Sequence, residues 1–336
     1  MDDILIVNNT PLHEGGVTPS HHIIRFLKEY FGDKAQIYEE GKTEIREYKY
    51  LLIYAGPYGF CSYLDEAAAL AKLAKNIIGI QNDYTFVLPK TRCDTVESPF
   101  RKAFGERNHE LDYWTNCPFF IKTSKSYYVN WNVLTYEPIE PVEPKKDKLV
   151  YWGSFRKGRV KSFLRYFNDP SVYPMVIACS SRVHDKYWAL NKKIPCRYPV
   201  DIPHGLQTYA CTLYIEDETT HDMFHSLANR FYEAVAAGVP MFVDYQCLDT
   251  FEQSGVLVKK EWVVKDAADI ASKWHLIPQM KKEQIDLWRR DYIEDARRMV
   301  RQAENHTDKL ANTPRITFPR RRPNVGNTST AILCSD

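Results

Sequence analysis

Residues 149–159 read Leu-Val-Tyr-Trp-Gly-Ser-Phe-Arg-Lys-Gly-Arg, an apolar strand pattern that gives way to small residues and then to three cations. A turn of this composition suits an anion. Gly153 and Gly158 let backbone amides approach closely, Ser154 adds a hydroxyl beside Phe155, and Arg156 adds a planar fork of donors. A nucleoside diphosphate is the natural ligand, and an ordinary strand-to-helix turn with exposed cations is the competing reading. A second constellation lies in 229–244, which reads as a helix, a glycine stop at Gly238 and a buried strand opened by Pro240. Arg230 and Glu233 stand three residues apart on one helix face. A carboxylate there can accept two ribose hydroxyls while the arginine and the helix N-terminus meet phosphate, and a surface ion pair is the plainer alternative. Asp83 closes a strand and is placed to take a proton, or only to cap the next turn. Metal signals are thin. Glu216-Asp217-Glu218 resembles an acidic metal clamp but reads better as a solvated loop, and His221 and His225 lack the intervening glutamate and third ligand of a zinc site. No bound structural metal is expected.

The elements that must position these groups follow from the alternation of apolar runs with helical periods. Strands are expected over 4–8, 50–55 and 76–81 and helices over 20–31, capped by Ser20, and 63–75, which implies a parallel, doubly wound α/β sheet. A proline-punctuated charged stretch over 137–148 reads as a linker. The pattern then restarts, with strands over 149–152, 174–179, 211–215 and 240–244, helices over 160–167 and 227–237, one long charged helix over 283–304 and a basic tail. The expected units are 1–140, 149–280, a C-terminal helix over 281–310 and a tail over 311–336. Two such units create a cleft between facing strand ends. The stretch 8–16 lacks the spaced glycines of a dinucleotide fold, which speaks against a dehydrogenase.

Composition sets limits. The 336 residues are 44% hydrophobic and 26% charged, with a net charge of +2, so there is no global case for nucleic-acid or membrane binding and any basic surface must be local. Lys90, Arg92, Arg101, Lys102 and Arg107, with Arg320, Arg321 and Arg322, are the candidates. The eight cysteines show no C-x-x-C pair and read as reduced thiols; with an acidic start leading straight into a strand and no membrane-length apolar run, a cytoplasmic, membrane-free protein is expected.

Gly-Ser-Phe-Arg-x-Gly after a strand, followed later by Arg-Phe-Tyr-Glu-Ala-Val-Ala-Ala-Gly-Val-Pro-Met, resembles the nucleotide-sugar half of the DNA beta-glucosyltransferases of T-even bacteriophages. Shorter islands, Val-Thr-Pro-Ser ending at Ser20, Phe-Leu-Lys at Lys28 and Ile-Gln-Asn-Asp at Asp83, extend the resemblance over most of the chain as islands. The resemblance implies a GT-B fold, two Rossmann-like domains facing across a cleft, and transfer of glucose from a UDP-sugar to a hydroxymethylated pyrimidine in duplex DNA, with inversion. By position it implies Gly153, Ser154, Phe155 and Arg156 at the pyrophosphate, Arg230 assisting, Glu233 on the ribose and Asp83 as general base. Arg159 matches a second loop arginine one residue early, and His22, beside His21, stands where the family has an acceptor-site glutamate. The first domain would hold DNA through Lys90, Arg92, Arg101 and Lys102, with the target base out of its stack, and Mg²⁺ would be an optional helper at the diphosphate. A monomer in the infected bacterial cell is implied. Competing readings are a GT-B enzyme with a glycan, lipid or small-molecule acceptor, and a non-catalytic DNA- or protein-binding module.

Overall fold

The structure is a computed structural model and describes residues 1–8, 19–54, 64–81, 112–116, 126–134, 138–153, 155–179, 181–197, 204–217, 227–289 and 292–312. The run Ile-Leu-Ile-Val forms β1 (Ile4–Val7), and every residue of it is buried, as expected of a strand covered on both faces. After α1 (Pro19–Phe31) come β2 (Ala35–Ile37), β3 (Tyr48–Tyr54), α2 (Leu64–Leu73), β4 (Ala74–Gln81), β5 (Asp112–Thr115) and β6 (Ser126–Tyr128). These strands form a six-stranded sheet in the order β2-β1-β3-β4-β5-β6, with each neighbouring pair parallel. The chain order reverses between β1 and β3, so α1 springs from the carboxyl side of a topological switch point. Pro19 is itself the first helical residue, so Ser20 lies inside α1 rather than capping it.

The second sheet starts inside the expected linker, because β7 (Lys146–Trp152) already includes its last cations. Then follow α3 (Val160–Phe167), β8 (Met175–Ala178), α4 (Ser181–Leu190), β9 (Cys196–Arg197), β10 (Tyr209–Tyr214), α5 (Asn229–Ala237), β11 (Met241–Asp244), α6 (Leu248–Gln253), β12 (Val263–Val264) and α7 (Ala267–Lys273). The order β12-β11-β10-β7-β8-β9 is again parallel throughout and reverses between β7 and β10. That reversal brings the ends of β7 and β10 together, and their next residues are Gly153 and Ile215-Glu216-Asp217.

The helix expected over 283–304 is two helices, α8 (Ile277–Trp288) and α9 (Tyr292–Asn312). Side chains at the break anchor elsewhere: Trp288 Nε1 donates to the Leu257 carbonyl at 2.8 Å and Arg289 to the Ile139 carbonyl. The break lets α9 return to the first sheet, where Trp114 Nε1 donates to Thr307 at 3.0 Å and Tyr30 to Glu304 at 3.1 Å. One core cluster joins the two halves, with Trp131, Val133 and Leu134 packed among Phe231, Tyr232, Val235 and Val300. The proline stretch before β7 is packed too: Gln207 Nε2 donates to Glu140 O at 2.6 Å and Lys281 Nζ to Val142 O at 2.7 Å.

Candidate functional site

The site is built where β7 and β10 end. Gly153 follows β7 with φ +125°, a conformation side-chain-bearing residues avoid, and a Cβ placed there would stand 2.7 Å from Arg230 Nη2. Arg230 comes from the first turn of α5, whose N-cap, Ala228, has no capping side chain and donates its own amide to Tyr214 Oη at 2.9 Å. The Arg230 guanidinium threads between the two strand ends. Its Nε donates to Trp152 O at 3.0 Å, its Nη1 to Ile215 O at 2.9 Å, and its Cζ stands 4.5 Å from the centre of the Tyr151 ring. Glu216 Oε2 is 3.8 Å from Nη1 and compensates a charge that would otherwise be costly to bury. Glu233, one turn further on the same face, accepts a hydrogen bond from the Trp152 indole. The two residues therefore clasp Trp152 from its carbonyl and its ring, and the plain surface ion pair that their spacing allowed is not their situation: both are buried.

The 155–159 loop lies over the same edge. Arg156 has 51% of its side chain exposed, and its Nη1 donates to Asp217 Oδ2 at 3.3 Å. Arg159 is buried, pairs with Glu216, stands 4.0 Å from Asp217 and donates to the Tyr151 hydroxyl at 3.1 Å. It fastens the loop to β7 and β10, whereas Arg156 faces outward. Phe155 packs edge-on against Tyr187 of α4 at 5.3 Å, and the Tyr187 hydroxyl donates to Gly153 O at 3.3 Å. Burial, reinforced by the Tyr151 phenol, pushes the Tyr187 phenol well above its ordinary range, so it stays a neutral donor. Glu216 and Asp217 correct the sequence expectation of a solvated acidic loop. They are buried at 2% and 6% exposure and engaged by arginines, which also occupies the carboxylates that a metal clamp would need.

Of the sequence-derived candidates, Gly153, Phe155, Arg156, Arg159, Arg230 and Glu233 come together here. His22 lies elsewhere, half-buried on α1 beside the buried His21, near the reversal of the first sheet. Ser154, Asp83, Lys90, Arg92, Arg101, Lys102, Arg107, Glu218, His221, His225 and Arg320 to Arg322 lie outside the described residues. Sequence reasoning missed Glu216 and Asp217 as arginine partners, Tyr151 as the ring under Arg230 and Trp152 as the residue that Arg230 and Glu233 clasp. The available signal was their placement at strand ends that a doubly wound order makes adjacent. Among the described residues no group of three or more His, Cys, Asp and Glu side chains could hold a metal ion.

Two parallel α/β sheets, joined by a packed linker and a C-terminal helix that returns to the first sheet, make the GT-B fold. Solved structures share it over nearly the whole chain. The DNA-modifying enzyme beta-glucosyltransferase, solved with and without uridine diphosphoglucose, matches with a TM-score of 0.61 at 13% identity, covering 91% of this chain and 99% of that one. T4 phage BGT in complex with UDP and Mn²⁺ matches with a TM-score of 0.55 at 14% identity, covering 91% and 98%. An alpha-glucosyltransferase in complex with UDP and a 13-mer DNA matches with a TM-score of 0.50 at 11% identity, covering 92% and 99%. No family model and no curated protein sequence matches the chain.

Proposed function

We propose that this chain is an inverting glycosyltransferase that binds a UDP-sugar at the ends of β7 and β10 and transfers the sugar, glucose first among candidates, to the hydroxymethyl group of a modified pyrimidine in DNA. The observation that carries the proposal is the clasp of Arg230 and Glu233 on Trp152 beneath Gly153, with Arg156 outward at its rim. Cations and close backbone suit a diphosphate, and a carboxylate one helical turn away suits a ribose. Support for the donor and the acceptor also comes from structures sharing the fold, which include UDP-bound glucosyltransferases, a DNA-modifying enzyme and a DNA complex.

In this reading Asp83, two residues beyond the end of β4, takes the acceptor hydroxyl proton as the oxygen attacks the anomeric carbon, and the bond to the diphosphate breaks onto the arginines. No enzyme nucleophile intervenes, so one displacement inverts the centre. His22 belongs to the acceptor side. Lys90, Arg92, Arg101 and Lys102 hold DNA phosphates of a duplex whose target base has left the stack. Mg²⁺ at the diphosphate would add charge neutralisation; no described residue is assigned to it. The units 1–140 and 149–280 are read as acceptor and donor domains of a cytoplasmic monomer, and among the described residues no helix is long and apolar enough to cross a membrane. The same fold could serve a glycan, lipid or small-molecule acceptor. A panel of UDP-sugars against hydroxymethylated and unmodified duplexes and against glycans, with mass detection of the transferred sugar, decides. Transfer confined to hydroxymethylated DNA supports the proposal, and transfer to glycans alone replaces it. Asp83→Asn should keep UDP binding and lose about 10²- to 10⁴-fold in single-turnover rate; a near wild-type rate would move the base elsewhere, with His22 first to be tested.

A further inference from the structure

Among the described residues, Arg156, Arg159 and Arg230 bring three positive charges to the ends of β7 and β10; of the carboxylates there, Glu233 is held by the Trp152 indole, and Glu216 and Asp217 pair with the arginines. The latter two carboxylates do different work. Glu216 is an interior counter-ion, paired with Arg159 and 3.8 Å from Arg230, both buried. Asp217 reaches the outward cation, with Oδ2 at 3.3 Å from Arg156 Nη1, and it is fixed against the loop, where a Cβ on Gly158 would stand 3.3 Å from the Asp217 Cβ. Arg156, at 51% side-chain exposure, has water to solvate it and does not need a carboxylate for burial.

We propose that Asp217 is a resident anion that shares Arg156 with the diphosphate and holds down its affinity, so that UDP leaves after transfer. This rests on the donor site proposed above. When the glycosidic bond to phosphate breaks, UDP carries one more ionisable oxygen than the UDP-sugar did. An arginine that meets the terminal phosphate therefore holds the product more strongly than the donor, which slows product release. A fixed carboxylate beside the terminal phosphate opposes that trend, because its repulsion grows with the charge it faces. Asp217 is thus a positioning and specificity residue that acts through Arg156 and touches no reacting atom.

The test is calorimetry and stopped-flow on the full chain with three probes: UDP, uridine and inorganic pyrophosphate. Asp217→Asn should bind UDP and pyrophosphate about three- to tenfold tighter, slow UDP dissociation by a similar factor and leave uridine unchanged. The gain should shrink in an Arg156→Ala background, where only direct repulsion between Asp217 and phosphate remains; a gain of full size there would overturn the sharing of Arg156. Unchanged or weaker UDP and pyrophosphate binding would overturn the inference, since Asp217 would then only orient Arg156. An equal gain for uridine, or tighter UDP without slower dissociation, would overturn it as well. Asp217→Ser carries the same expectations if the asparagine variant does not fold. Pyrophosphate reads the anion site whatever nucleoside it serves, so a chain that binds pyrophosphate through Arg156 but not UDP contradicts the donor assignment while leaving Asp217 tested.

Discussion

Gly153 concentrates two constraints in one residue, a φ of +125° and an Arg230 Nη2 atom 2.7 Å from where a Cβ would be. Arg230 is an arginine terminus, yet it is not free to swing away, because Nε and Nη1 are spent on Trp152 O and Ile215 O. Gly153→Ala should therefore destabilise the fold by about 1–3 kcal/mol and weaken UDP binding beyond that of a folded Arg156→Ala control. Denaturant midpoints together with calorimetry read both, and an alanine variant with wild-type stability and affinity would show that the loop is slack. Gly153, Arg156, Arg230 and Glu233 were legible in the sequence because glycines, cations and a helical i,i+3 spacing carry their chemistry locally. Glu216 and Asp217 were not, since their loop partners Arg159 and Arg156 lie 57 and 61 positions away and only the strand order makes the two segments neighbours.

Among elements, α5 and its exit carry the site's rigidity. Gly238 ends α5 at φ 64° and ψ 32°, its amide donating to the Ala234 and Val235 carbonyls, and a Cβ there would meet Pro141 at 3.2 Å and Arg289 at 3.3 Å. Gly238→Ala should cost about 1–2 kcal/mol through the left-handed backbone, read as a lowered urea midpoint with unchanged slope; no loss would mean the exit can relax. This cap, α3 and the central strands were readable because periodicity and a glycine stop act within a few residues. Strands β9 and β12, two residues each, were not, because so short a run carries no alternation and is fixed only by its neighbour in the sheet. The charged run over 283–304 was read as one helix for the complementary reason: its periodicity continues across a break that tertiary anchors of Trp288 and Arg289 impose.

At the scale of the molecule, α9 and the shared core tie the two sheets into one unit, so ionisation of half-buried groups should be felt as global stability. Burial, with Cys179 adjacent, pushes the Cys196 thiol up to about 11, and burial with Glu304 beside it pushes the Tyr30 phenol up to about 12. Both groups hold their protons more tightly folded than unfolded. The Cys196 contribution is fully present below the ordinary thiol range and is lost as pH rises through about 11, and the Tyr30 contribution is present below the ordinary phenol range, near pH 10, and is lost as pH rises through about 12. Melting temperatures should be level around neutrality and fall between pH 9 and 11; a rise over that window would contradict the burial of these groups. The two-sheet plan was legible from the alternation of elements, whereas the docking of α9 was not, because it depends on contacts such as Trp114 with Thr307 between distant segments. The central claim is that the ends of β7 and β10 form a UDP site. Calorimetric titration of the wild-type chain with UDP, beside Arg156→Ala and Glu233→Ala, tests it most directly: the wild type should bind, and each folded variant should lose roughly 1.5–3 kcal/mol of binding free energy. Absence of UDP binding in the wild type, or unchanged affinity in both variants, would contradict the account.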